Sequence, residues 1–292
     1  MESPKSASGG SGAAGPYTAP VPTAEANGQR LYYEVHGEGE PLLCVMGLGA
    51  DSRAWIPEIA NWKGERKVVV FDNRDVGRSS HVGEPYEVAD MANDSLALAD
   101  HLELESFDLV GMSLGGAIAQ EMALAAPERV RTLSLVVTYG GSGPHGEARA
   151  RVLGKAVSAL NEEERVDFLM MLTFSEAFFG QTEQFTRLRQ ILLDDPYPQP
   201  PEAFARQLAA AGRHETRDRL GQLSMPVQVI GAERDQMVPV WKSTELAELI
   251  PGARLTILEG APHAVNIERA EELSRLVLDF VAEHAPAPSG TP

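Results

Sequence analysis

Short apolar runs recur along the chain, separated by polar and glycine-rich stretches. The run "RLYYEV" (30–35) alternates apolar and polar positions, as a half-buried strand does. "PLLCVM" (41–46), "KVVVFD" (67–72), "FDLVGM" (107–112), "TLSLVV" (132–137), "PVQVIG" (226–231) and "ARLTIL" (253–258) are short and apolar almost throughout. Runs of that kind suit strands buried on both faces of a parallel sheet. Helical periodicity fills the gaps. Residues 89–103 form one such segment, and 114–125 form another that stops ahead of Pro127. Residues 240–249 follow the sixth apolar run. Residues 267–283 place Ile267, Ala270, Leu273, Leu276, Val277, Phe280 and Val281 on one stripe. Strands alternating with helices predict an α/β fold with a doubly wound, mostly parallel sheet.

The alternation fails over 140–219, which is helix-like and carries the proline cluster "DDPYPQPPEAF" (194–204). This segment reads as an inserted helical lid between two parts of one core, 27–139 and 220–284. Residues 1–26 and 285–292 are rich in Ser, Gly, Ala and Pro and read as flexible tails. They hold too little apolar surface to offset the entropy of ordering.

Composition narrows the partners. The 292 residues are 43% apolar and 23% charged, the make-up of an ordinary globular protein. A net charge of −17, from 42 acidic and 25 basic residues, argues against nucleic acid and anionic membrane surfaces. There is no run of 18 apolar residues to span a bilayer, and the N-terminal stretch lacks the apolar core of a signal peptide. The one cysteine, Cys44, allows no disulfide within the chain and reads as a small buried hydrophobe. A cytoplasmic location is the expectation. Oligomeric state is not legible. There is no Cys/His cluster and no H-E-x-x-H, so neither metal nor cofactor is expected.

One stretch carries chemistry. In "LVGMSLGGAIAQ" (109–120), Ser113 stands between Gly111 and Gly115 where a strand passes into a helix. Ligands in such sheets bind beyond the carboxyl ends of the strands. A serine at a tight turn there projects its hydroxyl outward, with the free N–H groups of a helix start behind it. G-x-S-x-G alone is a weak signal; a serine nucleophile also needs a base, and the base an orienting acid. Asp235 follows the 226–231 run, in "VIGAERDQMVP". His263 follows the 253–258 run, in "TILEGAPHAVNIE". Were Asp235 only a turn cap, an acid after the 132–137 run would have to replace it. "MGLGAD" (46–51) adds a glycine-rich turn at the same sheet edge, with backbone donors for an oxyanion.

With "MGLG", "FDNRDVGRSS", "GMSLGG" and the pair "GAERDQMVP" and "GAPHAVNIE", the chain resembles the α/β-hydrolase fold family over residues 28–284. The resemblance implies an eight-stranded sheet, Ser113 as nucleophile, His263 as general base and Asp235 as orienting acid. It also implies an oxyanion hole from the backbone N–H groups of Leu48 and Leu114. Two positions depart from the family pattern. Met46 stands where histidine often precedes the oxyanion glycine, and Asp75 stands where "DxRGxGxS" has glycine. Arg74 and Arg78 read as structural, and His145 is the one other histidine near the lid entrance.

The activity implied is hydrolysis of a small-molecule ester or lactone through an acyl-enzyme, as in enol-lactonase-type and esterase members. Alternatives on the same triad are C–C cleavage of a β-diketone, thioester hydrolysis and perhydrolysis; a receptor-like member with slow turnover is a third class. In the lid, Met170, Met171, Phe174, Phe178 and Phe179 are expected to line an apolar acyl or alcohol pocket, against the alternative that they only pack the lid.

Overall fold

A computed structural model describes residues 22–285. The strands are β1 (Thr23–Ala26), β2 (Gln29–His36), β3 (Pro41–Val45), β4 (Lys67–Phe71), β5 (Phe107–Met112), β6 (Val130–Val136), β7 (Val227–Ala232) and β8 (Arg254–Leu258). They form one sheet in the order β1-β2-β4-β3-β5-β6-β7-β8. β2 runs antiparallel to β1 and β4; every other pairing is parallel. The helices are α1 (Ile56–Trp62), α2 (Val88–His101), α3 (Leu114–Ala125), α4 (Gly143–Ala159), α5 (Glu162–Thr173), α6 (Glu176–Gly180), α7 (Thr182–Leu193), α8 (Pro201–Arg213), α9 (Trp241–Leu249), α10 (Val265–Glu268) and α11 (Ala270–Glu283).

Strand pleating divides the core in two. Leu43, Val45, Val69, Leu109 and Leu133 face α2 and α3, while Leu42, Cys44, Val68, Val70 and Val110 face α1 and α11. Both sets are fully buried, which is why these runs carry no polar alternation. Glu58 of α1 is the anomaly on the second face. It has no exposed surface, and neither carboxylate oxygen has a hydrogen-bond partner. Burial pushes its carboxyl up to about 9.

Three details depart from the sequence reading. Residues 23–26, assigned there to the tail, form β1. Ala24 and Ala26 are buried, and Asn27 and Gly28, both at positive φ, close a two-residue hairpin onto β2. The rest of the N-terminal tail and residues 286–292 lie outside the described residues. Second, the predicted helix 267–283 is interrupted at Arg269, so Ile267 belongs to α10 and packs on the insertion rather than on the core. Third, β8 is an edge strand on which Leu255 and Ile257 are each 38% exposed, so this run is not buried on both faces.

Helices α4 to α8 occupy the stretch where the alternation fails. They hold two small apolar clusters. Leu153, Val157, Phe204 and Leu208 pack with Leu48 and Met237; Met170, Phe174 and Phe178 pack with Ala264 and Ile267. No helix among the described residues is long and apolar enough to cross a membrane.

Candidate active site

Ser113 follows β5 and caps α3 at φ 56 and ψ −122, a conformation that L-residues rarely adopt and that costs on the order of 1–3 kcal/mol. Its surroundings enforce the turn. The Ser113 N–H donates to the Val136 carbonyl at 2.9 Å, and the Thr138 hydroxyl donates to the Ser113 carbonyl at 2.6 Å. A Cβ on Gly115 would lie 2.0 Å from the Val45 carbonyl oxygen, and one on Gly111 2.4 Å from that of Gly115. Only glycine lets α3 start this close to β3 and β5.

The structure brings Ser113, His263 and Asp235 into one hydrogen-bonded chain. Ser113 Oγ lies 3.0 Å from His263 Nε2, and His263 Nδ1 lies 2.6 Å from Asp235 Oδ2. Asp235 and His263 are 7% and 8% exposed, so their pairing is shielded from water; Ser113 is half-buried. The second carboxylate oxygen of Asp235 accepts from the N–H groups of Met237 and Val238, both at 2.7 Å. Turn cap and histidine partner are therefore the same side chain, one oxygen for each. The two loops are also tied directly. Arg234 N–H donates to the Ala261 carbonyl at 2.9 Å, and Gly260 N–H to Glu233 Oε2 at 2.8 Å.

The 46–51 turn lies against the serine. A Cβ on Gly47 would sit 2.9 Å from that of Ser113. The carbonyl of Met46 accepts from Asn73 Nδ2 at 2.9 Å, a brace that serves although no histidine stands at 46. Leu48 follows in the same turn, and Leu114 opens α3, where a first-turn N–H has no helical acceptor.

The residues singled out in the insertion divide. Met170, Phe174 and Phe178 are buried, and their cluster includes Ala264, the neighbour of His263. Phe179 stacks on Phe185 at the edge of that cluster, with ring centroids 4.7 Å apart. Met171 is 52% exposed, so its expected place in a pocket is corrected: the turn of α5 that buries Met170 points the next residue outward. His145 is exposed on the first turn of α4. Arg74 pairs with Asp94 at 2.5 Å, and Arg78 with Asp72 at 3.1 Å while lying over the Tyr32 ring. Both hold loops, as their sequence reading has it.

Sequence reasoning missed the side chains that meet the oxyanion turn. Phe204 and Leu208 pack on Leu48, and Gln207 between them accepts from Gly49 N–H at 2.9 Å. Their signal is the apolar spacing of α8, which the proline cluster before it obscured. Asp75 was also unassigned. At φ 68 it fills the left-handed position where the family has glycine, and its buried carboxylate takes Arg206 of α8 at 2.9 and 3.0 Å.

The chain belongs to the alpha/beta hydrolase fold family, whose model matches residues 40–270. A curated relative from Azorhizobium caulinodans, named "Putative carbamate hydrolase RutD", is 27% identical over 263 residues, covering 90% of this chain and 99% of the relative. The crystal structure of the enol-lactonase from Burkholderia xenovorans superposes with a TM-score of 0.81 at 25% identity, covering 89% of this chain and 100% of that one. A thermophilic esterase from Thermogutta terrifontis gives 0.78 at 26% identity, covering 88% and 95%. The protein is thus a hydrolase-family member with an eight-stranded, mostly parallel sheet.

Proposed function

We propose that this protein is a serine hydrolase that cleaves an ester or lactone of a small to medium, partly apolar substrate through an acyl-enzyme. The observation that carries the reading is the chain of contacts from Ser113 Oγ to His263 at 3.0 Å and on to Asp235 at 2.6 Å. His263 Nε2 takes the Ser113 proton as Oγ attacks the substrate carbonyl carbon. Negative charge gathers on the carbonyl oxygen, where the N–H groups of Leu48 and Leu114 receive it. Asp235 accepts from Nδ1–H, which fixes the tautomer and stabilises the imidazolium. His263 then gives its proton to the leaving oxygen, and the tetrahedral centre collapses to the acyl-serine. Water, deprotonated by His263, attacks that ester and frees Ser113. The esterase and enol-lactonase among the relatives support this class, and the RutD relative extends it to carbamates.

The test pairs labelling with turnover. A serine-directed fluorophosphonate should attach once, at Ser113, and abolish hydrolysis of p-nitrophenyl esters and lactones. Labelling unchanged in Ser113→Ala, or a panel with no steady turnover above that variant, would refute the assignment. The second outcome would favour a receptor-like protein.

A further inference from the structure

His263 is held from two sides. Upstream, Gly260 and Ala261 bond to Glu233 and Arg234 in the loop of Asp235. Downstream, the chain enters α10 at once, and the His263 carbonyl accepts from Val265 N–H at 2.8 Å. The Ala264 carbonyl accepts from the N–H groups of Ile267 and Glu268, both at 3.0 Å. Residues 263–268 therefore form one turn, with His263 at its start and Glu268 at its end. A helix of four residues has no stability of its own, so its place is set by what grips it from outside.

Most of that grip comes from the helical insertion. α5 ends at Thr173, where a last-turn carbonyl has no helical donor, and this one accepts from Ala264 N–H at 2.9 Å. Ser175 then gives both of its donors to the Glu268 carboxylate, N–H to Oε1 at 2.8 Å and hydroxyl to Oε2 at 2.5 Å. The same hydroxyl accepts from Phe178 N–H at 3.1 Å and so caps α6. Hydrogen bonds to a carboxylate are shorter and stronger than neutral ones, and both side chains are half-buried. Ala264 and Ile267 pack on Met170, Phe174 and Phe178 between these two points. The core adds Asn266 Nδ2 to the Ala54 carbonyl at 2.9 Å.

We propose that Glu268 is a positioning residue for His263, and that through Ser175 the insertion sets where the imidazole stands between Ser113 and Asp235. The tolerance is small. Ser113 Oγ and His263 Nε2 are 3.0 Å apart, close to the limit at which a base can take the serine proton. A displacement of about 1 Å at such a contact costs on the order of 100-fold in rate. The insertion is then part of the mounting of the base, and His263 works fully only while 173–175 is docked on α10. The inference rests on the hydrolase reading for what His263 does, and it adds what holds His263 in reach.

Kinetics on a p-nitrophenyl ester separate positioning from mere fastening. Glu268→Ala should lower kcat on the order of 100-fold and leave KM within about twofold, since ground-state binding does not call on the base. Glu268→Gln should rescue most of that loss, because its carbonyl still accepts from Ser175 N–H and its amide donates to the hydroxyl. Ser175→Ala should lose about tenfold, and adding it to Glu268→Ala should cost nothing further, as for two ends of one contact. Arg206→Met, which loosens the insertion at α8 instead, should show the opposite split and raise KM more than it lowers kcat. A second reading needs no turnover. The NMR signal of the His263 Nδ1 proton, identified by its loss in His263→Ala, should be sharp in the wild type and in Glu268→Gln and broadened by exchange with water in Glu268→Ala. Wild-type kcat with an unchanged Nδ1 signal in Glu268→Ala, a rise in KM that matches the fall in kcat, or additive losses in the double variant would overturn the inference. If Glu268→Ala fails to fold, Ser175→Ala and Glu268→Gln decide the same contact. Failure of the hydrolase reading is seen separately, as absence of Ser113-dependent turnover in the wild type, and the Nδ1 signal then decides the positioning by itself.

Discussion

The sheet edge that carries Ser113, Asp235 and His263 and the helical insertion above it are held by different forces. The edge stands on β5 and β7, which are buried throughout, and on the more exposed β8, whose loop locks to that of β7 through backbone bonds such as Arg234 to Ala261. The insertion buries only Met170 along α5 and no residue along α7. Beyond the apolar face of α8 and its two small clusters, it is fastened by polar contacts: Arg206 to Asp75, Gln207 to Gly49, and Arg149 to the carbonyls of Gln236 and Met237 at 2.8 and 2.7 Å. Two further ties reach the histidine's loop, Ala264 N–H to Thr173 at 2.9 Å and Ser175 to Glu268. Area-dependent burial makes the catalytic edge rigid without regard to the sequence of any one contact. The insertion depends on a few side chains, each of which one substitution can remove.

The sharpest break is at the edge itself. Asp235→Asn should fold normally, because its remaining oxygen still caps the turn, but presents the wrong hydrogen-bonding group to His263. A loss in kcat of about 10⁴-fold is expected on the best ester. Near wild-type kcat would move the acid elsewhere.

Under the edge, Glu58 makes core stability depend on pH. Its carboxyl is raised to about 9 in the native state from 4.5 unfolded, so between those values the native state holds the extra proton. Stability is therefore greatest below about pH 4.5 for this group and falls as pH rises toward 9. Denaturant titration should show a loss on the order of 4 kcal/mol from pH 5 to pH 8 that Glu58→Gln abolishes. Equal slopes in the two proteins would contradict the burial.

Arg206→Met tests the fastening of the insertion. It leaves the Asp75 carboxylate buried without its guanidinium partner, a change that costs about 3–5 kcal/mol where the pair is shielded. Limited proteolysis should then cut within 143–213 well before the core, and KM should rise more than kcat falls. Uniform resistance to protease would show that Asp75 is not what holds α8.

The mildest effect distinguishes the two apolar clusters. Each methylene of a bound acyl chain should add about 0.8 kcal/mol, close to fourfold in kcat/KM, until the pocket fills. Phe204→Ala, beside Leu48, should move the optimum of a p-nitrophenyl ester series by one or two carbons. Phe174→Ala, whose ring stacks on Phe178 at 4.7 Å, should move it less. The reverse order would put the acyl chain on the histidine's side.

What was legible in the sequence follows the same division. Burial on both faces writes itself as unbroken Val/Ile/Leu runs, so β3 to β7 and the loops bearing Ser113, Asp235 and His263 could be read directly. β1 is four residues long and carries no such run; its only signal is the Asn27–Gly28 turn, hidden beside a low-complexity stretch. In the insertion, the compact set Met170–Phe179 drew attention because its side chains are large and adjacent. Adjacency in sequence does not set direction on a helix, which is why Met171 turns outward. The residues that meet the oxyanion turn are spaced along α8 as Phe204, Gln207 and Leu208, and all three contacts depend on Leu48 or Gly49, some 150 positions away. No local pattern reports a pairing of that range.

Cys44 gives this chain a clock of its own. It is the single thiol, near the end of β3 with no exposed surface, and burial pushes its pKa well above that of a free cysteine. Only the thiolate reacts readily, so a disulfide reagent in solution must wait for the central sheet to part. With reagent in excess, the labelling rate becomes the opening rate of the core, read on native protein with nothing attached to it. Loosening of the insertion leaves that rate untouched, and the two motions can be timed apart in one sample.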